Sequence, residues 1–522
     1  MGIAEMLWAQ MSSTPDRVAL KAPGRAWTYD QLRSAADALR HRLAQAGARR
    51  GDHVVLIAPS VPEFAAAYYG ALASGLVVTT LNTMATSAEI EHVLRDAEVR
   101  FVMAWRDDAS SARRAAERCE AHLILLDKQS PSVDAGRLVP VDCNEEDVAV
   151  VLYTSGTTGR PKGAQLTHRN IRTCSDDFHA GLQVRDDDRF ATALPLFHIY
   201  GQVVVMNTAL QAGCSVSLRT PFDAATMLEV LCVDEITVAC GVPTMWNAML
   251  HEYAAMSPGA FRHLRLATSG GAAMPSEVVR AFEQRFGCVI LEGYGLTESA
   301  GSGTFHDLSG TPARHTVGRA LPSVQIEVRD ASGDEVPADV VGEIFLRGAS
   351  VMKGYLNRPE ANAADLVDGW LRTGDLGAVD GEGNLRIVDR TKDLIIRGGY
   401  NVYPREVEEV MYEHPDILEV AIVGVPDDHY GEEVAAVVAL VPGAEVGPDR
   451  LRAWAKEQLS AYKVPRIFQF VEALPKGPTG KVLKRSIDRD GLRRAGVGCP
   501  VHSEPVGIES GDHCVAAGEQ GQ

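Results

Sequence analysis

One stretch of the sequence concentrates groups suited to holding an anion: Tyr153-Thr154-Ser155-Gly156-Thr157-Thr158-Gly159-Arg160-Pro161-Lys162-Gly163, directly after the apolar run Val148-Ala149-Val150-Val151-Leu152. Glycines let backbone N–H groups approach a phosphate, the hydroxyls add donors, and Lys162 supplies compact positive charge. A polyphosphate matches that chemistry, although a flexible Gly/Thr turn has the same composition. The spacing is not that of a Walker A loop, because no hydroxyl residue follows the lysine.

Three further segments lie far along the chain. Gly293-Tyr294-Gly295-Leu296-Thr297-Glu298 follows the strand-like Val289-Ile290-Leu291 and brings an aromatic face, pliant backbone and a carboxylate to a strand end. Such groups can stack on adenine and ligate Mg²⁺, although Gly-x-Gly occurs in many turns. Thr373-Gly374-Asp375-Leu376-Gly377 offers a carboxylate that can accept from ribose hydroxyls or close an Asx-turn. Pro475-Lys476-Gly477-Pro478-Thr479-Gly480-Lys481 is a glycine-punctuated loop with lysines, and alone it reads as an exposed basic turn.

The elements that position these residues follow from periodicity. Up to about residue 320, helical stretches alternate with short β-branched runs at 53–57, 99–103 and 123–126, which predicts α/β layers with largely parallel strands. Alternating apolar and polar residues at 324–328 and 342–346 predict a small antiparallel β region. After Lys392 the pattern predicts a compact α+β segment: helices at 404–412 and 449–459, strands at 418–423 and 434–440. The expected domains are therefore 1–391, 392–495 and a tail, 496–522, with too few large apolar residues to pack.

A chain of 522 residues is long enough for at least two domains. Hydrophobic residues at 46% and charged residues at 23% are typical of soluble globular proteins, and a net charge of −18 argues against a nucleic-acid surface. No basic stretch followed by an apolar one opens the chain, so no secretory signal is expected and a cytoplasmic location follows by default. Residues 64–81 are uncharged, but the switch at Gly75 from Ala-rich to β-branched sequence fits a buried helix and strand better than a transmembrane span. The nine cysteines are scattered and read as reduced thiols; Cys499, His502, His513 and Cys514 match no standard zinc spacing.

Taken together, YTSGTTGRPKG, GYGLTES, TGDLG, DRTKDLIIRGGYNVYPREVE and PTGK, in this order, resemble the adenylate-forming superfamily of acyl-CoA synthetases, carrier-protein adenylation domains and firefly luciferase. The resemblance runs from about residue 10 to 490. It implies a large N-terminal domain of layered sheets with a β-barrel-like subdomain, followed by a small mobile C-terminal domain hinged at Lys392. By the same likeness Thr154, Ser155, Gly156, Thr157, Thr158 and Lys162 hold the β- and γ-phosphates, Thr297 contacts the α-phosphate and Glu298 binds Mg²⁺. Gly271, Ala272, Ala273 and Tyr294 line the adenine site, Asp375 and Arg390 hold the ribose, and Lys481 bridges carboxylate and α-phosphate.

The resemblance implies two half-reactions: ATP and an acid give acyl-AMP, and a thiol then attacks after the small domain brings Gly398 and Gly399 to the site. The segment Gly398-Gly399-Tyr400-Asn401-Val402-Tyr403-Pro404 looks like the acyl-CoA synthetase form, so coenzyme A is the expected acceptor and a carrier-protein phosphopantetheine the alternative. Leu194-Pro195-Leu196-Phe197-His198-Ile199-Tyr200-Gly201 resembles the acyl-pocket segment, and His198, Tyr200, Gln202, Trp246 and Gly295 are the expected pocket residues. No aspartate for an amine and no arginine for a second carboxylate stands nearby, so an apolar acid is implied. A medium- or long-chain fatty acid heads that class. Gln202 stands where some long-chain enzymes carry a tryptophan gate, which keeps cyclic and aryl (cinnamate- or benzoate-type) acids open. A nucleotide-binding protein that lacks the thioester half-reaction is the alternative of a different class.

Overall fold

The computed structural model describes residues 2–128, 136–154, 161–252 and 259–497. Two seven-stranded sheets form its larger part. The first runs, in spatial order, Ile290–Glu292, Leu266–Ser269, Val238–Gly241, Arg189–Thr192, Ser215–Leu218, Val18–Ala22 and Arg25–Thr28. All its pairings are parallel except the last, a hairpin closed by Gly24 at φ +72°. The second runs Gly354–Tyr355, Lys162–Thr167, Val148–Thr154, Val77–Leu81, His53–Ile57, Phe101–Trp105 and His122–Leu126, with its last five strands parallel. Parallel strands covered on both faces need no polar side, which explains why Val77–Leu81 and Phe101–Trp105 are almost entirely buried.

The uncharged stretch expected as helix and strand is the wholly buried helix Pro62–Ala73 followed by Val77–Leu81. Gly70 lets that helix touch its neighbour, Tyr29–Gln45: an added Cβ would lie 2.7 Å from the Ala36 carbonyl oxygen. No helix among the described residues is long and apolar enough to cross a membrane. The strand expected at 99–103 begins two residues later, because Glu98 takes a left-handed turn (φ +48°) and the Val99 N–H closes the preceding helix on the Leu94 carbonyl.

Beyond residue 320 the strands become antiparallel: Val324–Arg329, Gly342–Gly348, Leu366–Val367, Trp370–Val379 and Leu385–Arg390 form one five-stranded sheet. From Ile395 a separate five-stranded sheet is built from Ile395–Arg397, Tyr400–Val402, Ile417–Asp427, Gly431–Leu440 and Ile467–Val471. The helices Pro404–Tyr412 and Pro448–Gln458 cover it, with Val407, Met411 and Leu451 in an apolar cluster of its own. The helix Arg489–Val497 reaches two residues into the segment expected as a tail, whose remainder lies outside the described residues. The seven described cysteines are free thiols.

Candidate functional site

Strand register assembles the centre of the site. Leu266–Ser269 and Ile290–Glu292 are parallel neighbours, and both end at one edge, where the chain continues into 270–273 and 293–295. A crevice at the carboxyl ends of parallel strands is the usual ligand position in such sheets. A cavity of about 670 Å³ opens there, lined by Gly271, Ala272, Ala273 and Tyr294. Gly295 is required at its position, since an added Cβ would stand 2.1 Å from the Gly301 carbonyl oxygen.

The antiparallel sheet delivers the second wall. Asp375 and Arg390 are directly paired across two strands, and Arg390 Nε lies 2.9 Å from Asp375 Oδ1. The Tyr294 hydroxyl donates to the other oxygen, Oδ2, at 2.8 Å. Asp375 is thus held at both oxygens and is 3% exposed. Burial, then the negative charge of Asp375, raises the Tyr294 phenol well above its ordinary range, so it stays a donor.

Lys481 enters the same cavity from the C-terminal segment. Its loop is closed by Gly477 N–H to the Lys481 carbonyl and Gly480 N–H to the Gly477 carbonyl. The loop meets the helix Pro243–Glu252 at Thr244, whose hydroxyl donates to the Gly480 carbonyl. Burial, then repulsion from Arg390, lowers the Lys481 ammonium to about 8, against a partial pull from Asp375 and Asp393. Lys392 lies on the cavity rim and is exposed.

A second group gathers at the end of Val148–Thr154. The Thr154 hydroxyl donates to Glu298 Oε1 at 3.0 Å, and the Tyr355 hydroxyl donates to the same oxygen at 2.9 Å. Lys162 Nζ lies 4.8 Å above the Tyr355 ring and 3.4 Å from Asp365 Oδ2. Thr297 and Glu298 share the single turn Thr297–Ser299. Ser155, Gly156, Thr157 and Thr158 lie outside the described residues. No group of three or more His, Cys, Asp or Glu that could hold a metal occurs among the described residues. One carboxylate with hydroxyls beside it suits Mg²⁺, which keeps waters and is shared with substrate phosphates.

His198, Tyr200 and Gly295 line a smaller chamber of about 50 Å³, and Gly271, Gly293, Tyr294 and Gly295 border both spaces. The Tyr200 hydroxyl and Thr268 Oγ1 are 2.8 Å apart and bonded to each other. Burial, then the Lys481 charge, drives the His198 imidazolium down to about 4, so the ring is neutral at pH 7.

Two expected pocket residues are elsewhere. Gln202 is fully buried in the π-helix Tyr200–Asn207, where its Nε2 donates to the Leu196 carbonyl at 3.0 Å and to Thr80 Oγ1 at 3.3 Å. It braces the segment that carries His198 rather than facing the chamber. Trp246 is 1% exposed and meets the Phe282 ring at 5.1 Å in a separate apolar cluster. On the helix Pro243–Glu252 it is Thr244 and Asn247, three apart, that face the cavity. Gly398 and Gly399, both at positive φ, form the turn between Ile395–Arg397 and Tyr400–Val402 and line neither space.

Sequence reasoning missed Tyr355, Thr244, Asn247 and Glu292. Glu292 lines the main cavity, accepts from Met274 N–H at 2.9 Å and is lifted by burial to about 7. Its place immediately before Gly293 was the available signal.

Comparison with known proteins agrees with this geometry. Residues 7–356 match the AMP-binding enzyme family, and 406–481 match the AMP-binding enzyme C-terminal domain. The chain is 34% identical to a long-chain-fatty-acid–CoA ligase of Bacillus subtilis, over 91% of each chain. It is 36% identical to a feruloyl-CoA synthase of an Amycolatopsis species, over 92% of this chain and 97% of the relative. Among solved structures, ATP-bound MatB from Rhodopseudomonas palustris superposes with a TM-score of 0.85 at 32% identity, covering 93% of this chain and 98% of that one. The chain therefore belongs to the AMP-binding enzyme family, within the adenylate-forming superfamily, and is an acid–thiol ligase.

Proposed function

We propose that this ligase activates an apolar monocarboxylic acid as its acyl-adenylate and passes the acyl group to coenzyme A. The observation that carries the reading is the entry of Lys481 into the cavity walled by Asp375, Arg390 and Tyr294. Adenine lies between Tyr294 and residues 271–273, the ribose hydroxyls meet Asp375 and Arg390, and the polyphosphate extends towards Thr154 and Lys162.

In the first half-reaction a carboxylate oxygen bonds to the α-phosphorus and pyrophosphate leaves. Lys481 neutralises the charge gathered where carboxylate and α-phosphate meet, and Thr297 donates to the α-phosphate. Glu298 would hold Mg²⁺, which would supply further charge neutralisation beside the phosphates. Alignment and electrostatics suffice, since no proton must be moved. In the second half-reaction the coenzyme A sulfur bonds to the acyl carbon, AMP departs and the thiol proton is released. Rotation about Lys392 withdraws Lys481 and presents the turn at Gly398 and Gly399.

An apolar acid is supported by the smaller chamber, where no charged side chain lines the wall among the described residues and His198 is neutral. A second carboxylate or an ammonium would be buried there unpaired, at a cost of several kcal/mol. The two relatives are named for acids of different shape, so neither supplies the identity of this one.

The test is pyrophosphate release from ATP with a panel of acids, followed by mass analysis with coenzyme A or a carrier protein. Acid-dependent pyrophosphate and a coenzyme A thioester are expected. Absence of the first overturns adenylation, and loading of the carrier protein alone overturns the acceptor.

A further inference from the structure

We infer that the acid has a compact tail, on the order of four to six non-hydrogen atoms beyond the carboxylate, and that the Phe178 and Phe305 rings form the end wall that sets this limit. The inference rests on the function proposed above and names its substrate class.

The smaller chamber holds about 50 Å³. A water-sized occupant needs roughly 10–15 Å³, so the space takes roughly four such groups, with one or two more at its glycine-lined mouth. A dry apolar cavity that accepts benzene is about three times larger. A long alkyl chain would have to displace the wall.

The wall resists displacement. Phe178 on the helix His168–Gly181 and Phe305 on the strand Gly303–Phe305 are 5% and 4% exposed, and their rings meet edge-on with centroids 5.9 Å apart. Behind them the helix end is in contact: a Cβ at Gly181 would lie 3.5 Å from both the Phe305 ring and Leu321. On another side Val204 closes in, with a Cβ at Gly301 only 3.0 Å away, and Tyr200 lies 3.2 Å from where a Gly270 Cβ would stand. Both phenylalanines belong to the largest apolar cluster of the molecule, and cores at this density do not yield by the width of an alkyl chain without loss of many contacts.

The surface chemistry agrees with the size. Tyr200 and Thr268 bond to each other, and the Thr268 hydroxyl also meets the Cys240 thiol, so the pair has little left to offer a polar tail. The tail is therefore hydrocarbon, with room for one hydroxyl-type group at most.

Acid-dependent pyrophosphate release with saturated acids of four to sixteen carbons, benzoate and ferulate tests the size. We expect kcat/KM to peak among the linear acids of five to seven carbons, to be lower for benzoate, whose ring matches the roughly threefold larger cavity, and to fall at least tenfold by twelve. Phe178→Leu and Phe305→Leu should each raise kcat/KM for octanoate or decanoate about tenfold, with thermal melts recorded to show a folded protein. Val204→Ala, a smaller cut in the same wall, should move the optimum in the same direction if either phenylalanine variant fails to fold. A wild-type optimum at twelve to sixteen carbons or at ferulate overturns the size limit but leaves the proposed ligase intact. An enlarged wall with no change in preference overturns the role of the two rings. No pyrophosphate with any acid overturns the ligase reading itself.

Discussion

The Thr244 hydroxyl donates to the Gly480 carbonyl at 3.0 Å, one residue before Lys481. Gly480 is at φ +80°, and an added Cβ would sit 3.1 Å from that hydroxyl, so the loop and the helix are fitted closely. A neutral hydrogen bond is worth about 1 kcal/mol, close to fivefold in an equilibrium. Thr244→Val should therefore slow adenylation about fivefold and leave thioester formation from supplied acyl-AMP unchanged. Equal slowing of both steps would show that Thr244 does not act through the placement of Lys481.

The same separation of steps applies to the lysine. Lys481→Ala should slow adenylation by orders of magnitude more than thioester formation, measured by pyrophosphate release and by acyl transfer from synthetic acyl-AMP.

A depressed lysine titrates within an accessible range. With the Lys481 ammonium lowered to about 8, the cation is present below that pH and lost above it. Because kcat/KM reports the free enzyme, kcat/KM for ATP should fall as pH rises through about 8. Lys481→Arg should remove that limb, since a guanidinium keeps its charge. His198, driven to about 4, should contribute no limb between pH 6 and 8. A basic limb that persists unchanged in Lys481→Arg would assign the titration to another group.

Tyr355 donates to the same Glu298 oxygen as Thr154 and lies beneath Lys162. Removing a group that orients a metal-binding carboxylate typically costs 10–100-fold in metal affinity. Tyr355→Phe should raise the Mg²⁺ concentration for half-maximal adenylation at least tenfold and leave the KM for the acid unaltered.

Gln202→Leu removes the donor that reaches the Leu196 carbonyl and Thr80. Loss of these buried bonds should cost about 1–3 kcal/mol of stability, seen in urea unfolding, and lower kcat/KM for the acid as His198 loses its support. A drop in stability with unchanged kinetics would confine Gln202 to a packing role.

Much of the fold was legible because it depends on local pattern. The runs at 53–57 and 123–126 fall in the strands His53–Ile57 and His122–Leu126, and the helix expected at 404–412 is Pro404–Tyr412. Tyr294, Asp375, Arg390 and Lys481, each in a glycine-bearing or strand-end motif, converge on one cavity. The misplaced residues depended on orientation. Trp246 and Thr244 share one helix, and only the packing of Phe282 on one side shows which faces the cavity. Gln202 lies in a π-helix, whose altered period redirects side chains relative to an α-helix. Tyr355 and Thr244 find their partners 57 and 236 residues away, separations that no local pattern encodes.

The pairing of Asp375 with Arg390 has a mechanical consequence. Arg390 is the last residue of its strand, and Lys392 follows two positions later. The proposed grip on the sugar and the proposed pivot of the following domain therefore lie two residues apart on one backbone. If, as proposed, Asp375 and Arg390 hold the ribose and the small domain turns about Lys392, a bound ribose would stiffen the strand end from which that domain swings, as a hand on a door frame steadies the hinge screwed into it. Departure of AMP and freedom of the swing would then be a single local event, with no signal to be carried through the body of the protein.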